Sequence, residues 1–381
     1  MSRMIRIGLL RLTDAAPVLA GQALGLFEEQ GVPVRLSIEP SWANLADKLA
    51  VGLLEGAVML PALAIATALG RRGPAAPLLV PAGISLGGNA LTLAPDLAEE
   101  IGAGPADPMA LGARLRRVLA LRRRPPPAIA VVHRCSTHHL LLRYWLAASG
   151  IDPDAAIRLT VIPPAEMGAA LASRRIEGFC AGAPWGGMAE AAGAGRTVLA
   201  TGAIWRNHPE KCLALRADWA AEAPQTVHRL LRALLRAGRI CDDPAEAPAL
   251  ARLLARADAL DLPEAAIRAS LPLAGTDPDP LRSTFAAHAA SFPWRSQALW
   301  FLAEMGRAGL LADTPAARAA TRALYRPDLH AAAAAAEGLP VPRADTKPEG
   351  AQRTNWLLPA DPNPIPMRPD AFCDGRVFEY A

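Results

Sequence analysis

From residue 4 to about residue 222 of this 381-residue chain, short apolar runs alternate with longer stretches of helical periodicity. That alternation restricts the fold more than any other feature, because strands separated by helices build βα units on a largely parallel sheet. Strands are predicted at 4–10, 34–38, 56–60, 78–82, 89–94, 128–132, 157–162, 177–181, 196–200 and 211–215. A first helix is predicted between Thr13-Asp14 and Gly31, with Pro17 in its opening turn, where a missing N–H costs nothing. Arg122–Pro127 reads as a surface connection feeding a strand. Beyond about residue 222 the pattern turns to consecutive helices, predicted at 223–241, 244–256, 263–271, 279–291, 296–308 and 314–324. The segment 330–371, an alanine run followed by repeated prolines, reads as an extended strap with little regular structure.

At this length one compact core is too small a solution, and two lobes are expected. The composition, 52% hydrophobic and 20% charged, is that of a folded protein. The net charge of +4 is spread along the chain and aromatics are only 5%, so a basic face interleaved with aromatics, and with it direct nucleic-acid binding, is disfavoured. Five cysteines at unpaired spacing fit a reducing compartment. No stretch approaches the roughly 20 uninterrupted apolar residues of a membrane span. The chain begins on a strand without an export-type leader, and a cytoplasmic location is expected.

Three lysines stand against thirty-seven arginines, and one of them is Lys211 in Ile204-Trp-Arg-Asn-His-Pro-Glu-Lys211. A compact ammonium kept where arginine serves elsewhere points toward a small anion; the plainer reading is a lysine surviving on the surface. His138 follows Ser136 and Thr137 at the start of a helical run, where unpaired N–H groups and the helix dipole favour an anion, although a structural histidine beside a capping hydroxyl explains the same residues. A zinc site would need a second His/Cys cluster at ligand spacing, which is lacking, so no metal is expected. Gly182 in Cys180-Ala-Gly-Ala-Pro-Trp185 permits close backbone approach at a strand-to-helix turn. Trp42, opening a helix after Ser41, offers an indole N–H or simply a core side chain. No nucleophile elbow, P-loop, zinc-protease or dinucleotide fingerprint appears, which favours a binding protein over an enzyme.

Taken together these stretches resemble the nitrate-binding proteins of the nitrate/bicarbonate ABC-transporter family, a branch of the type II periplasmic-binding-protein superfamily. The matching pieces are Ser41-Trp42 with Asp47-Lys-Leu, Gly88-Asn-Ala-Leu-Thr-Leu93, Thr137-His-His with Leu142-Arg-Tyr-Trp-Leu146, Gly178-Phe-Cys-Ala-Gly-Ala-Pro-Trp185 and Ile204 through Lys211. Trp300-Phe-Leu-Ala-Glu-Met305, Tyr325-Arg-Pro-Asp-Leu329 and Phe372-Cys-Asp-Gly375 extend the match nearly end to end.

The resemblance implies an α/β fold of two lobes around a ligand cleft with a helical C-terminal wrap. The first lobe is expected over 1–92 and 204–325, the second over 93–203, and the strap over 326–381. It also implies a nitrate or nitrite ligand and no cofactor. Lys211 matches the charge-neutralising lysine, His138 the donor histidine, Gly182 the backbone donor and Trp42 the indole contact. Asn89 falls where the family has glutamine, and Ala183 where it has glutamate. A bicarbonate-binding relative would carry glutamate and calcium at the lysine position. The branch that fits best is the cytoplasmic nitrate sensor, which without ligand holds an ANTAR-type RNA-binding antiterminator inactive and releases it on anion binding. The rivals are a transporter's substrate-binding component and an enzyme of the thiamine-pyrimidine synthase type, whose cysteine-rich motif is missing here. The expected site is thus a lone cation ringed by uncharged donors, with a hinge near 90–95 and 201–211, and a Lys211→Glu change should abolish binding without disturbing the fold.

Overall fold

The computed structural model describes residues 4–71, 73, 75–102, 107–272 and 281–380. Strands β1 (Ile5–Leu9), β2 (Val34–Ile38), β3 (Gly56–Met59), β4 (Leu78–Gly87), β5 (Asn89–Leu93), β6 (Ala128–Val131), β7 (Arg158–Val161), β8 (Gly178–Gly182), β9 (Arg196–Ala200), β10 (Pro209–Arg216) and β11 (Ser283–Thr284) divide between two sheets. The first has the order β11-β4-β10-β3-β1-β2 and the second β7-β6-β8-β5-β9. Central strands such as β3 and β8 are buried along their whole length, because helices cover both faces of each sheet.

Each sheet is mixed, which corrects the expectation of largely parallel sheets. β5 enters the second sheet antiparallel to both β8 and β9, and β10 enters the first antiparallel to both β3 and β4. Both are the strands that arrive from the opposite lobe, and a chain crossing over directly must run against its new neighbours. The first crossing is nearly instantaneous: β4 ends at Gly87, β5 starts at Asn89, and Gly87 and Gly88 have φ of 68° and 81°. Left-handed backbone at two successive residues is cheap only for glycine. The lobe boundary therefore lies at Gly88 and not at 92, because β5 belongs wholly to the second sheet. The return crossing runs from the helix Thr201–Ile204 to β10. There Trp205 is fully buried against Trp300 (4.6 Å between ring centres) and Phe372 (4.9 Å).

Local chemistry explains where other expectations shift. The expected first helix is interrupted: a 3-10 turn at Thr13–Ala15 leads into Ala16–Ala23, and Gly25 (φ 73°) separates this from Leu26–Glu29. The predicted helix at 279–291 begins outside the described residues, and from 281 onward the chain forms β11 and a 3-10 turn at Ala287–Ala289 instead. Asp242 accepts hydrogen bonds from the backbone N–H groups of Phe285, Ala286 and Ala287 at 2.7–2.8 Å, satisfying donors that a helix would otherwise pair.

The strap is more regular than predicted. Alanine has the highest helix propensity, and the alanine run completes a helix at Pro327–Ala336. Two small ribbons follow, β12 (Val341–Pro342) with β14 (Ala360–Asp361) and β13 (Trp356–Leu358) with β15 (Ile365–Met367). Between them Lys347 is buried with its Nζ 2.5 Å from Glu349 and 2.7 Å from Asp370, while Ser296 donates to Glu349. That cluster ties the tail to the helix Arg295–Arg307. No helix among the described residues is long and apolar enough to cross a membrane.

Candidate functional site

Seven residues meet at the edge where the parallel strands reach their C-terminal ends and the antiparallel β5 and β10 begin, the position where open α/β sheets bind ligands. Asp14 follows β1, Trp42 opens the helix Trp42–Ala50 after β2, and His138 sits in the first turn of the helix Thr137–Ala148 after β6. Gly182 ends β8 directly opposite Asn89, the first residue of β5. Glu210 and Lys211 come from β10. Ser41 and Ser136 cap their helices by accepting from Asn44 N and His139 N, both at 3.2 Å, which fixes where the side chains of Trp42 and His138 begin. All five sequence-predicted residues, Trp42, Asn89, His138, Gly182 and Lys211, are buried in this one place.

Adjacent residues of a regular strand point to opposite faces, so Glu210 and Lys211 should not meet. β10 pairs irregularly with β4 on either side of Lys211. Such a bulge re-aims side chains, and here Lys211 Nζ reaches Glu210 Oε1 at 2.5 Å and Asp14 Oδ2 at 2.6 Å. The face of Trp42 lies beneath the ammonium, 5.3 Å from Nζ to the ring centre, within cation–π range.

The expectation of a lone cation among neutral donors is therefore corrected. Lys211 is enclosed by two carboxylates that sequence reasoning missed, although both lay in stretches already singled out: Thr13-Asp14 was read as a helix start, and Glu210 is Lys211's neighbour. In a regular strand Glu210 would face away from Lys211, and no local pattern links Asp14 to a strand almost two hundred residues away. Asn89 reaches the cluster, but its amide N–H donates to Glu210 Oε2 at 2.5 Å, leaving its oxygen turned toward Gly182.

The charges sort as burial and pairing dictate. Burial works against the charge on Lys211, but Asp14 and Glu210 outweigh it and hold its pKa above the usual lysine value. Burial likewise opposes ionisation of Glu210, yet the attraction of Lys211 prevails and brings its pKa down to about 2. Asp14 goes the other way: burial, reinforced by repulsion from Glu210, raises its pKa despite Lys211. Burial keeps His138 neutral, with Glu210 restoring only part of its basicity. The backbone N–H of Val132 points at His138 Nε2 at 3.5 Å, a long contact that favours the tautomer with the ring proton on Nδ1. Nδ1 lies 4.0 Å from Glu210 Oε1, too far for a full hydrogen bond. Among the described residues, His138 Nδ1 and Trp42 Nε1 are thus two buried N–H groups beside the ammonium with no acceptor within hydrogen-bonding distance.

The lobes clasp around this point. Thr13 donates through its hydroxyl to Ala183 O at 3.0 Å and Thr137 to Glu210 O at 3.5 Å, while at the crossing Ala183 N donates to Gly88 O at 2.8 Å. Two open crevices of about 370 Å³ and 400 Å³ lie elsewhere, around Arg143 and Glu304 and around Arg116 and Arg124, and neither touches Lys211. Among the described residues no group of three or more His, Cys, Asp and Glu is arranged to hold a metal ion.

The model of the NMT1-like family matches residues 2–255. The chain belongs to that family. Within this NMT1-like chain the similarity to one relative extends nearly end to end: the nitrate/nitrite binding protein NrtA of Synechococcus elongatus is 31% identical, over 98% of this chain and 86% of the relative. The bicarbonate transport ATP-binding protein CmpC of the same organism is 34% identical over 80% of this chain, which spans 45% of that relative's length. The crystal structure of the periplasmic nitrate-binding protein NrtA from Synechocystis PCC 6803 superposes with a TM-score of 0.85 at 26% identity, over 99% of this chain and 95% of that one. The NMT1-like chain thus has the two-lobed type II periplasmic-binding-protein fold that its sequence resembles.

Proposed function

We propose that this protein is a binding protein, not an enzyme, and that Lys211, His138, Trp42 and the Gly182 backbone take up one nitrate or nitrite. The observation that carries the reading is the pair of orphaned donors: His138 Nδ1–H and Trp42 Nε1–H, both buried, flank a buried ammonium. An unmet buried donor costs about 1–3 kcal/mol, and a flat oxyanion with three acceptor oxygens relieves both costs at once. Relatives named for nitrate and nitrite support the same chemistry. Lys211 favours these over bicarbonate, since glutamate and a cation would be expected at that position for a bicarbonate binder.

In this proposal the protein works in the cytoplasm as a sensor that sequesters an ANTAR-type RNA-binding antiterminator and releases it when the anion binds. Five cysteines, none of them paired, fit a reducing compartment. Lys211 is 2% exposed and His138 1%, so a ligand reaches them only when the lobes part, and closure on the anion changes the surface a partner reads. Nitrate releases the partner only by as much as its affinity differs between free and partner-bound sensor. The test is a calorimetric series of nitrate, nitrite, bicarbonate and sulfate, followed by titration of the antiterminator with and without saturating nitrate. Nitrate binding with a weakened complex supports the sensor; unchanged partner affinity removes it.

A second reading, the substrate-binding component of a nitrate transporter, is favoured by the names of the relatives. Fractionation of cells expressing the full-length protein separates the two, because a transport component is recovered with the cell envelope.

A further inference from the structure

Asp14, Glu210 and Lys211 form a buried group of two carboxylates and one ammonium, none more than 4% exposed. With all three ionised the group carries one net negative charge. A monovalent anion added to it would make two, in surroundings that screen poorly, and burying unbalanced charge is among the costliest things a protein does. One negative charge must leave as the ligand arrives.

The geometry identifies which. Glu210 is secured from two sides, by Lys211 and by the Asn89 amide at 2.5 Å. Asp14 has the ammonium alone among the described residues, at 2.6 Å. Its Oδ2 also lies beside Gly182, one of the proposed ligand contacts: a Cβ added to Gly182 would meet Asp14 Oδ2 at 3.4 Å and Asn89 Oδ1 at 3.2 Å. The charged groups facing Asp14 are Lys211 and Glu210 of β10; the imidazoles of His138 and His208 remain neutral through burial, and the neighbouring Arg11 pairs with Asp261 at 3.3 Å. Two carboxylates on one ammonium cannot both stay ionised once a further anion joins them.

We propose that Asp14 is the resident competitor of the ligand: a monovalent oxyanion binds Lys211 in exchange for the charge on Asp14, whose carboxylate takes up one proton from solvent. The neutral carboxyl then presents an O–H to the anion where a carboxylate would repel it. The upward direction of the Asp14 pKa fits this role. The inference rests on the anion-site reading given above. It makes the site favour single charge, because a dianion would require a second proton, and Glu210, the other carboxylate, is held ionised by Lys211 and the Asn89 amide.

The experiment is calorimetric titration of nitrate into the full chain, across a pH series and in two buffers of different ionisation enthalpy. The expected result is uptake of about one proton per nitrate, and an affinity that weakens about tenfold per pH unit on the alkaline side. The buffer comparison needs no variant. Asp14→Asn, checked by its melting curve, should bind nitrate without proton uptake and more tightly than wild type at alkaline pH. Wild-type binding that is flat in pH, with equal heats in both buffers, overturns the Asp14 inference alone. A folded Asp14→Asn protein that no longer binds nitrate overturns it too, by making Asp14 a required ligand. Failure of the wild type to bind nitrate at any pH removes the anion-site reading itself, and this inference with it.

Discussion

Glu210 and Lys211 are consecutive residues of one strand, yet Glu210 Oε1 and Lys211 Nζ are 2.5 Å apart in a fully buried contact. The bulge in β10 that permits this makes the pair a determinant of pH stability. The pKa of Glu210 falls from an ordinary 4.5 to about 2 in the folded chain. A depressed carboxylate contributes stability that is complete above its unfolded value and disappears as pH falls through the folded one. Its share at neutral pH is about 3 kcal/mol. Glu210→Gln should therefore melt well below wild type at neutral pH, with the two curves converging between about pH 4.5 and 2. Melting temperatures across that range check this, and a gap that stays constant with pH counts against the pair.

Lys211 is a structural ion as well as the proposed anion contact. It neutralises two buried carboxylates, so replacing it by glutamate assembles three of them in one place, contrary to the expectation that Lys211→Glu leaves the fold intact. Stranding a buried charge costs about 3–5 kcal/mol. Lys211→Glu and Lys211→Met should both unfold at markedly lower denaturant, with glutamate the worse of the two. Equilibrium urea titrations decide it, and a Lys211→Glu midpoint equal to wild type would show that these carboxylates do not depend on the ammonium.

The scarcity of lysine is a true signal with a broader meaning than sequence alone allows. Lys347 is also buried between two carboxylates, and Lys48 pairs with the buried Glu39 at 2.8 Å. Two of the three lysines, Lys211 and Lys347, stand where one compact charge fits between two buried acids, whether or not a ligand is bound, while Lys48 pairs with one acid and stays partly exposed. Trp42, His138, Gly182 and Lys211 are legible because each lies in a motif at the end or start of an element, and Asn89 only through the family resemblance. Asp14 and Glu210 are not, because one is brought in by tertiary closure and the other by a bulge that breaks the period-two rule. The same distinction runs through the fold. Strand positions followed from local hydrophobicity, whereas the antiparallel entry of β5 and β10 is a property of chain path and leaves no local trace.

The Lys347 cluster makes the tail a testable part of the structure. Lys347 draws together Glu349 and Asp370, and Ser296 joins it to the helix Arg295–Arg307, with the Trp294 ring 5.8 Å from the ammonium. Lys347→Met should leave nitrate affinity within about twofold while lowering stability by about 3 kcal/mol. Hydrogen exchange should quicken mainly across 345–370. Protection unchanged in that segment would mean that the small ribbons, and not the ion cluster, hold the tail.

Trp42→Phe separates ligand binding from folding more cleanly than any charge change. Phenylalanine keeps an aromatic ring beneath Lys211 but removes the pyrrole ring with its N–H, which has no acceptor among the described residues. Deleting an unsatisfied buried donor relieves a desolvation cost, offset by the smaller ring's weaker packing, so the melting temperature should stay close to that of wild type. Nitrate loses one hydrogen bond to a charged acceptor, about 1.5–3 kcal/mol, so its affinity should fall by about tenfold or more. A melt and a calorimetric titration on the same sample read both effects. Unchanged affinity would place the anion away from Trp42, and a large drop in stability would show that the indole serves packing.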